Sequence, residues 1–67
     1  MLSADFYVVE FIRDSEKMYF YNKRTCVHFP DSARKFSTIT NAKKTAKGAG
    51  LCDFKILKSI NGSYLYC

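Results

Sequence analysis

The strongest constraint on the fold is a run of β-branched and aromatic residues near the start of the chain. Six of the seven side chains in residues 6–12 are apolar or aromatic. This composition is typical of strands, and we predict a strand over residues 5–13. Because successive side chains of a strand point to opposite faces, a run without alternation places apolar side chains on both faces of a sheet.

Four further segments have the composition of strands and are separated by turn residues. They are predicted to be strands over residues 18–21, 25–29, 53–58 and 63–67. The polar residues 14–17 and 22–24 are predicted turns. Pro30 ends the third strand, since proline donates no ladder hydrogen bond, and begins a loop that runs to Ser37.

A single helix is predicted between the third and fourth strands. Thr38 is the predicted N-cap, because its hydroxyl can accept a hydrogen bond from a backbone N–H. Gly48 and Gly50 end the helix, since glycine readily takes the left-handed cap conformation. Apolar side chains recur at helical spacing on one narrow stripe, formed by Ile39, Ala42, Ala46 and Ala49. Residues 1–67 are therefore predicted to form one α+β domain of order β-β-β-α-β-β, an antiparallel sheet with one short helix packed on one face.

Two hairpin registers determine which side chains share a face of this sheet. The Asn-Gly pair at residues 61–62 is preferred for a two-residue type I′ turn. This turn predicts three opposite pairs: Ile60 with Ser63, Lys58 with Leu65, and Leu57 with Tyr66. The first hairpin is built with residues 14–17 as its loop.

The two predicted faces are both apolar. One carries Tyr7, Val9, Phe11, Met18, Phe20, Phe54, Ile56, Ile60, Leu65 and Cys67. The opposite face, called the second face below, carries Phe6, Val8, Ile12, Tyr19, Tyr21, Lys55, Leu57, Tyr64 and Tyr66. A half-exposed antiparallel sheet normally alternates apolar with polar residues, so neither face has the polarity of plain solvated surface.

One short helix covers only one face, so the second face is predicted to expose a tyrosine-rich patch edged by Lys17 and Lys55. Patches of this kind mark interaction sites, and tyrosine is enriched in interfaces. The candidate partner-binding residues are Tyr19, Tyr21, Tyr64, Tyr66, Ile12 and Lys55. Three alternatives stay open: strands that curl into a small barrel, a homodimer through the second face, and a one-residue register error that exchanges the faces.

The charge balance indicates the kind of partner. Eleven Lys and Arg against six Asp and Glu give a net charge of +5. This positive field favours polyanions or an acidic protein surface, and it excludes a mimic of DNA phosphates, which would be acidic. Nucleic-acid binding through a basic helix face and stackable tyrosines is therefore an alternative function. Its candidate residues are Arg34, Lys35, Lys43, Lys44 and Lys47.

Membrane and secretory roles are not indicated. No apolar run approaches the roughly 18 residues of a membrane span, and residues 1–5 lack the layout of a signal peptide. Three cysteines are an odd number without a CxxC pair, which favours free thiols in a reducing compartment, although one disulfide remains an alternative. We expect a soluble protein, complete from Met1, in the cytoplasm.

Candidate catalytic and metal motifs are weak. Cys26 and His28 lie on the same side of the third predicted strand, and Cys52 and Cys67 could complete a zinc site. Their spacings match no tight metal loop. With Asp31, the same Cys-His pair could imitate a nucleophile and its base, but so short a chain offers little room for a substrate cleft. We therefore expect no enzyme activity, no catalytic residues, no metal and no cofactor.

One layout resembles small accessory proteins encoded by tailed bacteriophages. The segments concerned are Lys35-Phe36-Ser37-Thr38, Ala42-Lys43-Lys44, Ala46-Lys47 and Leu51-Cys52-Asp53-Phe54-Lys55-Ile56. In those proteins two or three strands precede an F-x-T, an Ala/Lys-rich helix, a glycine and a further strand, and the resemblance covers roughly residues 5–58. It implies a host-takeover protein that binds and modulates host machinery, and a location in the host cytoplasm. It identifies no functional residues.

The sequence thus leads to one main hypothesis and two alternatives. The main hypothesis is a small non-enzymatic protein-binding module that modulates or inhibits a protein partner, and the positive net charge favours an acidic partner. The alternatives are a nucleic-acid-binding protein and a homodimeric structural protein.

Overall fold

The computed structural model describes residues 6–22, 24–51 and 53–67. It confirms the α+β class, because five antiparallel strands form one sheet of order β3-β2-β1-β4-β5 and one α-helix packs against it. The elements are β1 Phe6–Arg13, β2 Glu16–Asn22, β3 Thr25–Val27, a 3₁₀ turn Pro30–Ser32, α1 Ile39–Gly48, β4 Phe54–Ile60 and β5 Ser63–Tyr66. Three positions used in the predictions lie outside the described residues, namely Asp5, Lys23 and Cys52. No helix in the described part of the chain is long and apolar enough to cross a membrane.

The β4–β5 hairpin has the predicted register. Asn61 and Gly62 both have positive φ, 50° and 80°, as a type I′ turn requires. All three predicted opposite pairs, Ile60 with Ser63, Lys58 with Leu65 and Leu57 with Tyr66, are present. The side chains of this hairpin therefore lie on the faces expected for them.

The predicted four-residue loop of the first hairpin is wrong. The turn has only two residues, Asp14 and Ser15, with φ of 53° and 65°, and β2 already begins at Glu16. The twist of a two-residue turn with positive φ matches the twist of the strands that it joins, and aspartate tolerates this conformation. The register differs from the predicted one by an even number of residues, so every side chain keeps its predicted face.

The third strand is shorter than predicted. β3 ends at Val27 rather than at residue 29, and Pro30 opens a single 3₁₀ turn where its fixed φ is favourable. Its pairing with β2 is irregular between Phe20 and Asn22, so that Tyr21 lies at a bulge. A bulge of this kind interrupts the regular pairing of the two strands.

Both ends of α1 are capped as the sequence indicates. The Thr38 hydroxyl accepts a hydrogen bond from the Asn41 backbone N–H at 3.2 Å. At the other end Gly50 has a φ of 86°, and the Leu51 N–H donates to the Ala46 carbonyl at 3.1 Å. This is the Schellman pattern of helix termination. Ala46 and Ala42 are fully buried, because their small side chains let the helix approach the sheet closely.

The main core lies between α1 and the sheet. Its buried members are Val9, Phe11, Phe20, Phe36, Ala42, Ala46 and Ile56. The sheet residues in this set come from alternate positions of β1, β2 and β4, as the period of a strand requires.

The connection between β3 and α1 passes through the sheet. β1 and β2 are paired only from Glu10 and Tyr19 towards their turn. In the gap beyond, the Arg34 N–H donates to the Phe20 carbonyl of β2, and Phe36 exchanges two backbone hydrogen bonds of 2.8 Å with Tyr7 of β1. The chain therefore crosses from the second face to the helix face between these two strands.

This crossing covers part of the second face. Ala33 packs there with Val8, Tyr19 and Leu57 in a separate buried cluster. The prediction of one helix packed on one face was thus incomplete, because a loop covers part of the second face. The sheet is not a closed barrel either, since β3 and β5 lie at its two edges.

Candidate functional site

A buried carboxylate lies at the centre of the second face. Glu10 is only 5% exposed. Its Oε2 accepts a hydrogen bond from the Tyr19 hydroxyl at 3.0 Å, and its Oε1 accepts one from the Tyr66 hydroxyl at 2.9 Å. A buried charge needs such partners, because burial removes its hydration. Among the described residues, no buried side-chain nitrogen or oxygen lacks a hydrogen-bond partner.

The strand registers bring these three side chains together. Glu10 lies opposite Tyr19 on β2 and opposite Lys55 on β4. Tyr66 lies opposite Leu57, one strand further out, and its long side chain reaches Glu10 from β5. The site is therefore assembled from four strands, and no short segment of the chain contains it.

Beside Glu10 the second face is open. A concavity of about 330 Å³, called the Glu10 concavity here, is lined by Glu10, Phe11, Ile12, Lys17, Asp53, Phe54, Lys55 and Tyr66. Ile12 is 59% exposed and Tyr66 is 54% exposed. The Lys55 amine lies 5.2 Å from the centroid of the Tyr66 ring, a cation–π distance. Apolar and cationic groups thus both line this opening, together with the carboxylates of Glu10 and Asp53.

A second concavity adjoins the first. Its volume is about 390 Å³, and Ile39 and Lys43 of α1 line one side of it. Phe54, Lys55 and Tyr66 line both concavities, so these three residues form a ridge between them. We call this surface, comprising the two concavities and the ridge, the ridge surface.

The structure groups four of the six predicted partner-binding residues. Ile12, Lys55 and Tyr66 line the Glu10 concavity, and the buried Tyr19 holds its carboxylate. Tyr64 lies apart, because its hydroxyl donates to Asp31 Oδ1 at 2.6 Å under the covering loop. Tyr21 is exposed at the bulge of β2.

The five predicted nucleic-acid-binding residues lie in different places. Arg34 lines a groove together with Arg24, and this groove shares no lining residue with the ridge surface. The Lys35 amine lies over the Phe6 ring and donates to the Asp31 carbonyl. Lys43 borders the ridge surface, whereas Lys44 and Lys47 are exposed on α1.

The residues considered for zinc are partly described. Cys26 is half-buried beside the main core, and its Sγ accepts a hydrogen bond from Arg13. Cys67 and His28 are exposed. Within residues 6–22, 24–51 and 53–67, no three His, Cys, Asp or Glu side chains are placed to hold a metal ion. Cys52 lies outside these ranges.

Sequence reasoning missed Glu10. Glu10 interrupts an apolar strand and shares a face with Tyr19 and Tyr66. A charged residue in the middle of such a strand is the signal that could have identified the site, since burial there requires polar partners.

Two tyrosines of the second face have raised pKa values. Burial raises the pKa of Tyr19 to about 12, and its hydrogen bond to Glu10 adds to this effect. Burial likewise raises the pKa of Tyr64 to about 12, with a contribution from the hydrogen bond to Asp31. In both cases the folded protein keeps the phenol protonated.

Alkaline pH is therefore expected to destabilise the protein. The unfolded phenols ionise near pH 10, so the contribution to stability is complete below pH 10 and falls as the pH rises towards 12. Urea unfolding at about pH 9 and pH 11.5 should show a loss of about 1–3 kcal/mol, allowing for the solvent screening at Tyr64. The variant Y64F, which keeps the hydrogen bond between Tyr19 and Glu10, should lose clearly less over the same interval. An equal loss in both proteins would contradict this account.

The fold and the site define a small antiparallel α+β domain whose second face is partly covered by a loop. No known protein family, no curated protein and no solved structure matches the chain.

Proposed function

We propose that the protein is a small non-enzymatic protein-binding module that modulates or inhibits its partner through the ridge surface. The observation that carries this proposal is the exposure of Ile12 and Tyr66 around a concavity, where a loop already covers the neighbouring part of the same face. Exposed aromatic and aliphatic groups at a concave, partly rigid surface suit the anchor residues of a partner.

The charges around the ridge surface favour an acidic partner. Lys17, Lys43 and Lys55 line the two concavities, against the carboxylates of Asp53 and the buried Glu10. None of the three lysines forms an ion pair within the described part of the chain. Carboxylates of a partner could approach these amines while its apolar side chains enter the concavities.

The resemblance to accessory proteins of tailed bacteriophages extends the proposal. It implies a location in the cytoplasm of a bacterial host, where the protein would act on a host protein. The buried hydrogen bonds of Glu10 support this function by keeping Tyr66 in place before the partner binds, which lowers the entropy lost on binding.

Site-specific photo-crosslinking tests this function. p-Benzoylphenylalanine in place of Ile12 should give discrete protein adducts in nuclease-treated bacterial lysate. The same group in place of Lys44, which is exposed on α1, should give few. Adducts that disappear after nuclease treatment, or equal labelling from both positions, would count against a protein partner at the ridge surface.

A charge reversal sharpens this test. Lys55→Glu should reduce the adduct yield from position 12 by about tenfold or more, because like charges oppose each other across the interface. Lys44→Glu makes the same change in net charge and should leave the yield within about twofold. Equal effects would indicate a response to net charge alone.

A further inference from the structure

The three arginines of the chain line two adjacent depressions. Arg24 and Arg34 line a groove of about 400 Å³ together with Phe20, Asn22 and Thr45. Arg13 lines a smaller depression that shares Phe20 and Asn22 with this groove. The described residues that line the two depressions include no lysine and no carboxylate. We call the two together the arginine groove.

Contacts with the fold hold two of these guanidinium groups. The Arg34 guanidinium lies 5.4 Å from the centroid of the Phe36 ring. That of Arg13 lies 5.4 Å from the Phe11 centroid and donates to the Cys26 sulfur at 3.4 Å. Arg24 is held at its turn by a backbone hydrogen bond, because the Arg24 N–H donates to Asn22 Oδ1 at 2.8 Å. Within the described ranges, no arginine forms an ion pair, so the charges of the groove are available to an anion.

We propose that the arginine groove binds the phosphodiester backbone of single-stranded nucleic acid. Arginine presents planar, permanently charged donor groups that match phosphate oxygens. Several such groups along contiguous depressions favour a chain of phosphates over one isolated phosphate, because each neutralised phosphate releases counterions. The Asn22 amide and the Thr45 hydroxyl line the same groove and can donate to sugar or base atoms.

The shape and lining of the groove distinguish a strand from other phosphate ligands. A mononucleotide site needs a surface that encloses the base, but Phe20 is only 3% exposed and cannot stack on one. The groove lies between the end of β2 and α1, and it is concave. A concave groove can follow one strand, whereas a duplex presents its phosphates on a convex surface. The arginine groove and the Glu10 concavity share only one lining residue, Phe11, which is buried, so this function uses a surface separate from the one for protein binding.

Fluorescence anisotropy with a labelled oligothymidylate of about 15 nucleotides tests the proposal. The wild-type chain should bind it at about 50 mM salt, with an affinity that falls steeply as salt rises. R24Q/R34Q should weaken binding by about tenfold or more and reduce the slope of log affinity against log salt by about 1.4, the value for two lost phosphate contacts. R34K should also weaken binding, although it keeps the charge, because it loses the planar donor fork.

K44Q/K47Q is the matched control, since it also removes two positive charges, but from the exposed side of α1. It should change the affinity by less than about threefold. R24Q alone, at an exposed turn residue, keeps the test valid if the Arg34 change disturbs the fold. Circular dichroism checks that each variant is folded. Three results would each overturn the proposal. They are equal weakening by K44Q/K47Q, no binding at low salt, and stronger competition by a duplex or a mononucleotide than by the unlabelled single strand.

Discussion

Phe36→Ala is expected to destabilise the protein by about 3–5 kcal/mol, the cost typical of removing a buried phenylalanine. Phe36 is 6% exposed, and its ring stacks on Phe20 with centroids 6.5 Å apart. It also lies where the chain crosses the sheet, beside its two backbone hydrogen bonds to Tyr7. Because a chain of 67 residues has a stability of only a few kcal/mol, the variant should be largely unfolded at room temperature.

Phe29→Ala is the matched control for this prediction. It removes the same side chain from the same connection between β3 and α1, but Phe29 is 70% exposed. Its effect should stay within about 0.5 kcal/mol. Thermal and urea unfolding followed by circular dichroism measure both variants. A folded Phe36→Ala protein with near wild-type stability would show that the crossing does not depend on this ring.

The second large effect is expected at the buried carboxylate. Tyr19→Phe leaves Glu10 Oε2 without its donor inside the protein, which should cost about 2–3 kcal/mol. Glu10→Leu should cost a similar amount, because the buried Tyr19 hydroxyl then lacks an acceptor. The double variant E10L/Y19F leaves neither group unsatisfied. Its loss should therefore be smaller than the sum of the two single losses, with a coupling of about 1–2 kcal/mol in a double-mutant cycle.

Tyr21→Phe provides the comparison for these variants. Its hydroxyl forms no hydrogen bond with any described residue, so the substitution should change stability by less than about 0.5 kcal/mol. Strictly additive losses for Glu10→Leu and Tyr19→Phe would contradict the pairing of these side chains. Urea unfolding at neutral pH is the measurement, with each change taken from the midpoint at constant slope.

Much of the local structure was predictable from short segments. The turn at Asn61 and Gly62 and the cap at Thr38 depend on residues that are adjacent or nearly adjacent in the chain. The loop of the first hairpin was predicted too long because its sequence, Asp-Ser-Glu-Lys, is polar throughout, and polarity alone does not identify which residues take positive φ. The predicted faces of the side chains in this hairpin were nevertheless correct, since the observed register differs from the predicted one by an even number of residues.

The site was predictable only in part. Ile12, Lys55 and Tyr66 were selected because of an excess of apolar side chains on the second face, and the structure places them around one concavity. The covering of Tyr64 was not predicted. It depends on where residues 30–35 pack, and nothing in their composition indicates a contact with the sheet.

The arginine groove has no signal in the linear sequence. Arg13, Arg24 and Arg34 are at least ten residues apart from one another. Only the tertiary structure brings them to two adjacent depressions.

The apolar run of residues 6–12 by itself determined that both faces of the central strand would be apolar, because side chains alternate along a strand whatever its neighbours are. What covers each face was decided only in the tertiary structure. β1 and β2 separate beyond Glu10 and Tyr19, and the gap between them admits the chain that covers part of the second face and leaves the ridge surface open. Such a gap depends on hydrogen bonds between residues far apart in sequence, which local patterns do not encode.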